Sequence, residues 1–259
     1  MKRLVPSIRG VFSVWLRYAF VFRKTWLLNC AAPMSEPVVY LLAFGLGLTP
    51  LVRSLRYAGN EVDYLRFIAP GMIAIGVMFQ GFFEGAYGSF VRLRFQRTWQ
   101  AMLTTPLCFA DIFWGELLWA ATKGFLAGVI TSLVALLWGV YSLRSFAAGV
   151  PVILCGSILF AALGMATAGF AKTISHINLP IHLFIVPMFV VCGTYFPRDN
   201  LPEAVAAPAG LLPLSGLVDL LRWEIGPDAS VLIPISVIAV WTAGLIAIAW
   251  QQLERKVFR

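Results

Sequence analysis

The chain has 259 residues, of which 60% are hydrophobic and only 12% are charged, and its mean hydropathy is +0.84. A soluble domain usually carries about 25% charged residues, so this composition excludes an ordinary soluble protein and indicates one embedded in a bilayer. The net charge of +8 is compatible with nucleic acid. In so apolar a chain, however, a membrane with anionic lipid is the better explanation, and no nucleic-acid partner is expected.

The first 30 residues predict an amphipathic helix that lies in the membrane interface. Arg9, Arg17 and Lys24 fall near one helical face, and apolar residues such as Phe12 and Trp15 fill the rest. A helix of this kind keeps its basic side chains in water and its apolar face in lipid. A basic membrane anchor without a protein partner would explain this segment equally well.

Six segments are apolar and long enough to cross a bilayer, which takes about 20 residues. They cover residues 31–51, 67–91, 112–140, 147–171, 177–196 and 230–250. Thirteen of the 20 lysine and arginine residues then lie on the side that holds both termini, and six lie on the other side. The positive-inside rule therefore predicts that both termini are cytoplasmic.

The loop 92–111 is then cytoplasmic and is predicted to contain a short helix, because TWQAML is followed by Pro106, which ends helices. Trp99, Met102 and Leu103 would form a compact apolar knob suited to a groove on another protein. A helical turn without a partner is the alternative. Asp111 is placed to cap the third span.

The connection 192–229 is long for an extracellular loop, and it is apolar. Two short helices are predicted between its prolines, at about 201–207 and 214–224. Helices of this length enter the outer leaflet only where protein or a cavity covers their backbone, as in a re-entrant hairpin. The alternative is a pair of interfacial helices that cap the bundle.

Three ionisable residues, Glu84, Glu116 and Lys123, fall inside predicted spans, where a charge is costly and faces a partner or a cavity. They either stabilise packing or line a shared polar face, and they do not form the chain of groups that a proton relay needs. Gly81 and Gly85 make a small face that allows close helix contact.

No catalytic or metal-binding motif is present in the sequence. A P-loop, H-E-x-x-H and G-x-S-x-G are all missing, the four cysteines are scattered, and the two histidines lie six residues apart. We therefore expect no enzyme activity, no catalytic residue and no metal site in this chain.

Three segments of the chain resemble type-2 ABC transporter permeases, and in particular their NodJ-type branch, which is associated with nodulation-factor and polysaccharide export. They are SEPVVYLLAFGLG, QRTWQAMLTTPLCFADIFWGELLWAATKG and CGTYFPRDNLPEAVAAPAGLLPLSGLVDLLR. The likeness extends from about residue 10 to the end. One departure is Ser215-Gly216, where many relatives have a polar residue or histidine after the serine or threonine.

The resemblance implies an all-α membrane protein, a single permease domain with six spans over residues 1–259. It also implies a pair of such chains bound to two copies of a separate ATPase subunit. ATP and magnesium are expected on that ATPase, and no cofactor is expected here. The implied cargo is an amphipathic, lipid-linked or lipo-oligosaccharide substrate that moves outward across the bacterial inner membrane.

The resemblance also assigns roles to residues. The helix after the second span would couple to the ATPase through Thr98, Trp99, Met102, Leu103, Thr105 and Pro106, with a second contact at Trp15, Arg17, Arg23 and Lys24. The re-entrant gate would include Gly193, Tyr195, Phe196 and Pro197. The first, second and fifth spans would line the path with Tyr40, Phe44, Phe79, Phe83, Glu84, Met188 and Phe189.

Three alternatives remain at this point. A permease of the same family could export a drug or a small lipid, and a non-transporting scaffold could anchor an ATPase. A membrane-embedded enzyme that modifies lipids would show clustered histidine, aspartate or glutamate at one membrane face, and the sequence shows no such cluster.

Overall fold

The computed structural model describes residues 6–47, 52, 54–226 and 230–258, and for residues 28–37, 41, 45 and 46 only the backbone. The described part is helical except for one small hairpin. Its elements are α1 (Ile8–Gly47), β1 (Ser54–Tyr57), β2 (Asn60–Asp63), α2 (Tyr64–Phe83), a π-helical turn (Glu84–Gly88), α3 (Ser89–Arg94), α4 (Thr98–Leu103), α5 (Phe109–Leu137), α6 (Leu143–Phe170), α7 (Ser175–Pro180), a second π-helical turn (Ile181–Ile185), α8 (Val186–Val191), a 3₁₀ turn (Arg198–Asn200), α9 (Glu203–Gly210), α10 (Pro213–Leu221) and α11 (Leu232–Phe258). Parts of three predictions lie outside these residues: 1–5 of the interface helix, 48–51 of the first span and 227–229 of the hairpin.

Four of the predicted spans have the length and hydropathy to cross a membrane. They are Tyr64–Arg94, Phe109–Leu137, Leu143–Phe170 and Leu232–Phe258. The pair α9 and α10 passes the same test if its 81° bend is counted as one broken span. The described residues therefore hold four or five candidate spans, which agrees with an all-α membrane protein, but a count of six is not confirmed.

The fifth predicted span, 177–196, is shorter than expected. The apolar helical stretch Ser175–Val191 has 17 residues and contains a π-helical turn. It stops because Gly193 takes a positive φ of 78°, the left-handed conformation in which glycine commonly ends a helix. Residues 192–196 form a turn rather than the end of a span.

Helix α1 combines the predicted interface helix and the beginning of the first span. Its two segments meet at a kink at Thr25, where φ is −129° and ψ is 20°. Before the kink, Gly10, Val14 and Tyr18 are buried, whereas Arg9 and Arg17 are exposed. The buried side of this segment therefore packs on protein, whereas large apolar side chains such as Phe12 and Phe20 are exposed together with the arginines.

The hairpin β1–β2 was not predicted. Its strands pair antiparallel with Tyr57 opposite Asn60, and positive φ angles at Ala58 (49°) and Gly59 (79°) form the tight turn. The Tyr57 ring packs edge-on against Phe67 with 5.2 Å between ring centroids. The hairpin thus covers the beginning of α2.

Helix α2 lies at the centre of the bundle and crosses α6 at very short range. A Cβ added to Gly164 would lie 2.3 Å from the carbonyl oxygen of Phe82, and one added to Gly85 would lie 2.5 Å from that of Ala161. This contact confirms that the small face with Gly85 allows close helix packing.

Candidate translocation path and coupling surface

Seven aromatic rings form a continuous row along one flank of the bundle. Successive ring centroids are 5.5 to 6.3 Å apart from Tyr40 in α1 to Tyr87 in the first π-helical turn, and such separations are typical of contacting aromatic pairs. We call this set the aromatic row; in order, it contains Tyr40, Phe44, Tyr195, Phe189, Phe79, Phe83 and Tyr87. All seven rings are partly exposed.

The row brings together most of the residues predicted to line the path. Tyr40, Phe44, Phe79, Phe83 and Phe189 join one another through Tyr195 of the predicted gate. The row also includes Tyr87, which the sequence analysis missed, although its spacing of four after Phe83 places it on the same helical face.

Two predicted lining residues lie outside the row: Glu84, which pairs with Arg92 and Lys123, and Met188. Met188 is 1% exposed and belongs to the core, so the prediction that it lines a path on this surface is wrong. Being adjacent to Phe189 on a helix, it points to a different side.

Arg222 closes the turn after α8 onto the rest of the bundle. Its guanidinium donates to three carbonyl oxygens, those of Phe67 (3.0 Å), Gly193 (2.6 Å) and Thr194 (3.1 Å). It also lies over the Phe67 ring, 3.7 Å from the centroid. Burial lowers the pKa of Arg222 to about 10, which leaves it charged at neutral pH.

The predicted gate residues lie at this junction. Gly193 and Pro197 are buried, and Tyr195 and Phe196 are partly exposed. The Tyr64 hydroxyl donates to the carbonyl oxygen of Tyr195 at 3.3 Å. The gate turn is therefore bonded to α2 and α10 rather than free.

The loop helix α4 faces inward with its largest side chains. Trp99 is fully buried against Phe109, and Met102 is 7% exposed. The prediction that Trp99, Met102 and Leu103 form an exposed knob is therefore wrong, because these apolar residues fill the space under the loop and Leu103 is only partly exposed.

The surface of the loop consists of other residues. Thr98 is buried, whereas Thr105 and Pro106 are exposed as a contact role requires. We define the coupling surface as the exposed residues Arg94, Phe95, Gln96, Arg97, Gln100, Ala101, Thr104, Thr105 and Pro106, among which Phe95 is 67% exposed.

The segment of α1 before the kink docks on α5. Trp15 donates through Nε1 to the Thr122 hydroxyl at 2.9 Å. The Asp111 carboxylate accepts from the backbone NH groups of Ser7 (2.7 Å) and Cys108 (3.0 Å), which confirms its predicted capping role. Trp15 is thus partly buried within the chain, while Arg17, Arg23 and Lys24 remain exposed.

The intramembrane charges form a compact cluster around Arg92. Arg92 pairs with Glu84 at 2.8 Å and with Glu116 at 2.5 Å, and Lys123 pairs with the second oxygen of Glu84 at 3.2 Å. Ser89 and Trp119 donate further hydrogen bonds to these carboxylates. We call Glu84, Arg92, Glu116 and Lys123 the charge cluster.

The pairing within the charge cluster explains how four ionisable groups coexist inside the bundle. Two acidic and two basic side chains lie in direct contact, and their attraction offsets part of the desolvation cost of placing charges in a low dielectric. The sequence analysis left Arg92 in the loop, although its distance of eight residues from Glu84, about two helical turns, could have placed it on the same face.

Along the chain, Glu84 and Arg92 of the charge cluster lie between Phe83 of the aromatic row and the coupling surface. Phe79 and Phe83 precede Glu84, and Arg92 precedes the coupling surface by two residues. The Arg92 guanidinium also lies 4.7 Å from the centroid of the Tyr18 ring, so the cluster contacts α1 as well. Among the described residues, no group of three or more histidine, cysteine, aspartate or glutamate side chains could hold a metal ion.

Comparison with known proteins decides the family. The sequence model for "ABC-2 type transporter" matches residues 9–225. The chain belongs to the ABC-2 type transporter family. It is 34% identical over 249 residues to Nodulation protein J of Rhizobium leguminosarum bv. viciae, which covers 95% of each chain. It is 36% identical over 210 residues to Nodulation protein J of Bradyrhizobium diazoefficiens, which covers 81% of this chain and 79% of that protein.

A more distant relative covers the same length. The Inner membrane transport permease YadH of Escherichia coli is 22% identical over 245 residues, 94% of each chain. This ABC-2 permease is therefore a multi-pass membrane protein of the transport type, and members of its family are transport subunits rather than enzymes.

Proposed function

We propose that the chain is the permease subunit of an ATP-driven exporter, that two copies pair side by side, and that an amphipathic substrate passes along their seam. The observation that carries this proposal is the aromatic row on the exposed flank of α1, α2 and α8. Flat rings suit both apolar chains and the faces of sugars. The names of the nodulation relatives favour a lipo-oligosaccharide or another lipid-linked glycan over a drug or a small lipid.

ATP hydrolysis takes place on a separate subunit in this proposal, with ATP and magnesium bound there. That subunit contacts the coupling surface and the exposed basic residues Arg17, Arg23 and Lys24. Its closure on ATP pushes α4, and the pairs in the charge cluster pass the movement on to α2. Chemical energy thereby biases the bundle between two arrangements that differ in access to the seam. Both termini are cytoplasmic, as the distribution of lysine and arginine supports.

The ATPase contact can be tested by charge reversal. Arg97→Glu with Gln100→Glu alters the coupling surface without touching buried Trp99, whereas Arg56→Glu makes the same reversal on the exposed strand β1. Each tagged chain is co-expressed with the ATPase subunit and purified from membranes. We expect the first variant to lose the ATPase while it still inserts, and Arg56→Glu to retain it. Retention of the ATPase by both variants would contradict the proposed surface.

The path can be tested separately by transport. Phe79→Ala with Phe189→Ala removes two facing rings of the aromatic row, and Phe170→Ala removes a ring that is 62% exposed at the end of α6. In vesicles that contain both subunits, the double variant should lose uptake of a fluorescent lipo-oligosaccharide while it still binds the ATPase. If Phe170→Ala and the double variant lowered transport equally, the aromatic row would not be the path.

A further inference from the structure

A long apolar groove lies between α6 and α11, away from the aromatic row. Its volume is about 830 Å³, within the usual range of roughly 300–1,000 Å³ for small-molecule sites. Its walls include Ala148, Pro151 and Cys155 of α6 and Ile235, Ala239 and Ala243 of α11. The small side chains among these, at Ala148, Ala239 and Ala243, leave the space open.

The groove has the length of one membrane leaflet. On α6 its lining runs from Ala148 to Ile158, and ten residues of helix rise about 15 Å. The hydrocarbon core of a bilayer is about 30 Å thick, so one leaflet contributes about 15 Å. An extended acyl chain that entered from the headgroup side would therefore fill the groove to the middle of the bilayer.

A polar site opens at one end of the groove, where α6 and α11 begin. This smaller cavity, about 290 Å³, shares Leu220, Trp223 and Val231 with the groove and adds the charged residues Arg144, Asp219 and Glu224. Asp219 is already paired with Arg198 at 2.6 Å, which leaves Arg144 and Glu224 for a headgroup. Trp223 is 40% exposed, and tryptophan is the side chain that proteins favour at headgroup level.

The charges of this mouth have defined positions. Glu224 accepts hydrogen bonds from the hydroxyls of Ser142 (2.6 Å) and Ser145, and these bonds, with help from Arg144, lower the pKa of its carboxyl. Glu224 is therefore ionised at neutral pH. Arg144 is exposed, and its guanidinium is close enough to Glu224 to influence the pKa of that carboxyl. A headgroup that carries a phosphate and a primary ammonium matches Arg144 and Glu224 respectively.

We propose that this groove binds a phosphatidylethanolamine-type lipid, with an acyl chain between α6 and α11, the phosphate on Arg144 and the ammonium on Glu224. The bound lipid is a resident of the permease rather than its cargo, because the groove does not include any residue of the aromatic row. With both termini in the cytoplasm, as proposed above, it lies in the outer leaflet. The lipid fixes α11, which packs on α6 and α10 and is the least buried of the four candidate spans.

The exposed thiol of Cys155 in the groove provides a direct readout. The purified chain in detergent is titrated with phosphatidylethanolamine, phosphatidylglycerol or phosphatidylcholine, and alkylation of the Cys155 peptide is followed by mass spectrometry. We expect phosphatidylethanolamine to slow alkylation and raise the melting temperature. Phosphatidylglycerol lacks the ammonium, and the choline group cannot donate a hydrogen bond, so both should act more weakly. Equal protection by all three would overturn the headgroup assignment, and no protection by any would overturn the site.

Variants of the chain distinguish lipid binding in the groove from a general stabilisation by lipid. Ala243→Trp fills the groove and should abolish the stabilisation by phosphatidylethanolamine, whereas Ala247→Trp, at an exposed position of α11 outside the groove, should retain it. Arg144→Gln should weaken the lipid by about tenfold, the effect of losing one charge-assisted hydrogen bond. If Ala243→Trp fails to fold, alkylation of Cys155 in the unaltered chain and in Arg144→Gln still shows whether the lipid binds in the groove. Failure here would leave transport and ATPase binding unaffected, so the proposed function is tested independently.

Discussion

Replacing Arg222 by methionine should destabilise the permease at the turn that holds the predicted gate residues. Methionine keeps the length of the buried side chain but leaves the carbonyls of Phe67, Gly193 and Thr194 without their donor. An unsatisfied buried polar group costs about 1–3 kcal/mol, so three cost about 3–9 kcal/mol. Removing a buried guanidinium returns several kcal/mol of desolvation, and we expect a net loss of about 3 kcal/mol in the free energy of unfolding.

A loss of this size is measurable as a shift in the melting temperature. At about 2–4 °C per kcal/mol for a chain of this size, Arg222→Met should melt about 6–12 °C below the unaltered chain in the same detergent. Arg198→Met is the comparator, because Arg198 pairs with Asp219 at 2.6 Å in a partly exposed place, where an ion pair is worth about 1 kcal/mol or less. A shift for Arg222→Met no larger than that for Arg198→Met would refute the reasoning.

Further substitutions test three other contacts. Glu84→Gln and Lys123→Met each leave the charge cluster with an unpaired charge. In a double-mutant cycle of melting data, the double variant should therefore lose at least about 1 kcal/mol less stability than the two single variants lose in total. If the losses simply add, the two residues are not coupled. Gly164→Ala should lower the melting temperature by an overpacking cost of about 1–3 kcal/mol, whereas Gly244→Ala, which meets nothing within 4 Å, should leave it unchanged or raise it. Asp111→Ala should cost about 1–2 kcal/mol and speed proteolysis near the N-terminus, and an unchanged cleavage rate would argue that its cap does not hold that segment.

The long helices were predictable because a long run of apolar residues is enough to identify a membrane span. Residues 112–140 and 147–171 were expected to span the membrane, and the helices run from Phe109 to Leu137 and from Leu143 to Phe170. The hairpin β1–β2 was not, since two four-residue strands are too short for a periodic pattern to distinguish them from a loop. The fifth span was extended too far because the apolar run continues after Gly193, where the backbone has already turned.

The sequence predicted the site residues correctly where their position depends on helical spacing. It predicted them wrongly where their position depends on burial. Phe79 and Phe83 share a face by spacing alone, and they lie in the aromatic row. Trp99 and Met102 were expected on the surface because a loop was expected to be exposed, but large apolar side chains in a short loop helix fill the space beneath it. In the sequence, Arg222 is recognisable only as the last residue of a motif. Its three acceptor carbonyls belong to segments that are distant in sequence and meet only in the folded chain.

The π-helical turn at Glu84–Gly88 joins α2 to α3 in one continuous helix, and it sets how far α3 is rotated relative to α2 about the helix axis. A turn of this kind holds one residue more than an ordinary turn, so the part of the helix after it is offset by about 100° from where a regular helix would place it. Deleting a single residue there would turn the end of this helix that carries Arg92 away from its partners while leaving Phe79 where it is. The number of residues in this turn therefore decides whether Arg92 can reach Glu116, separately from which side chains the turn carries.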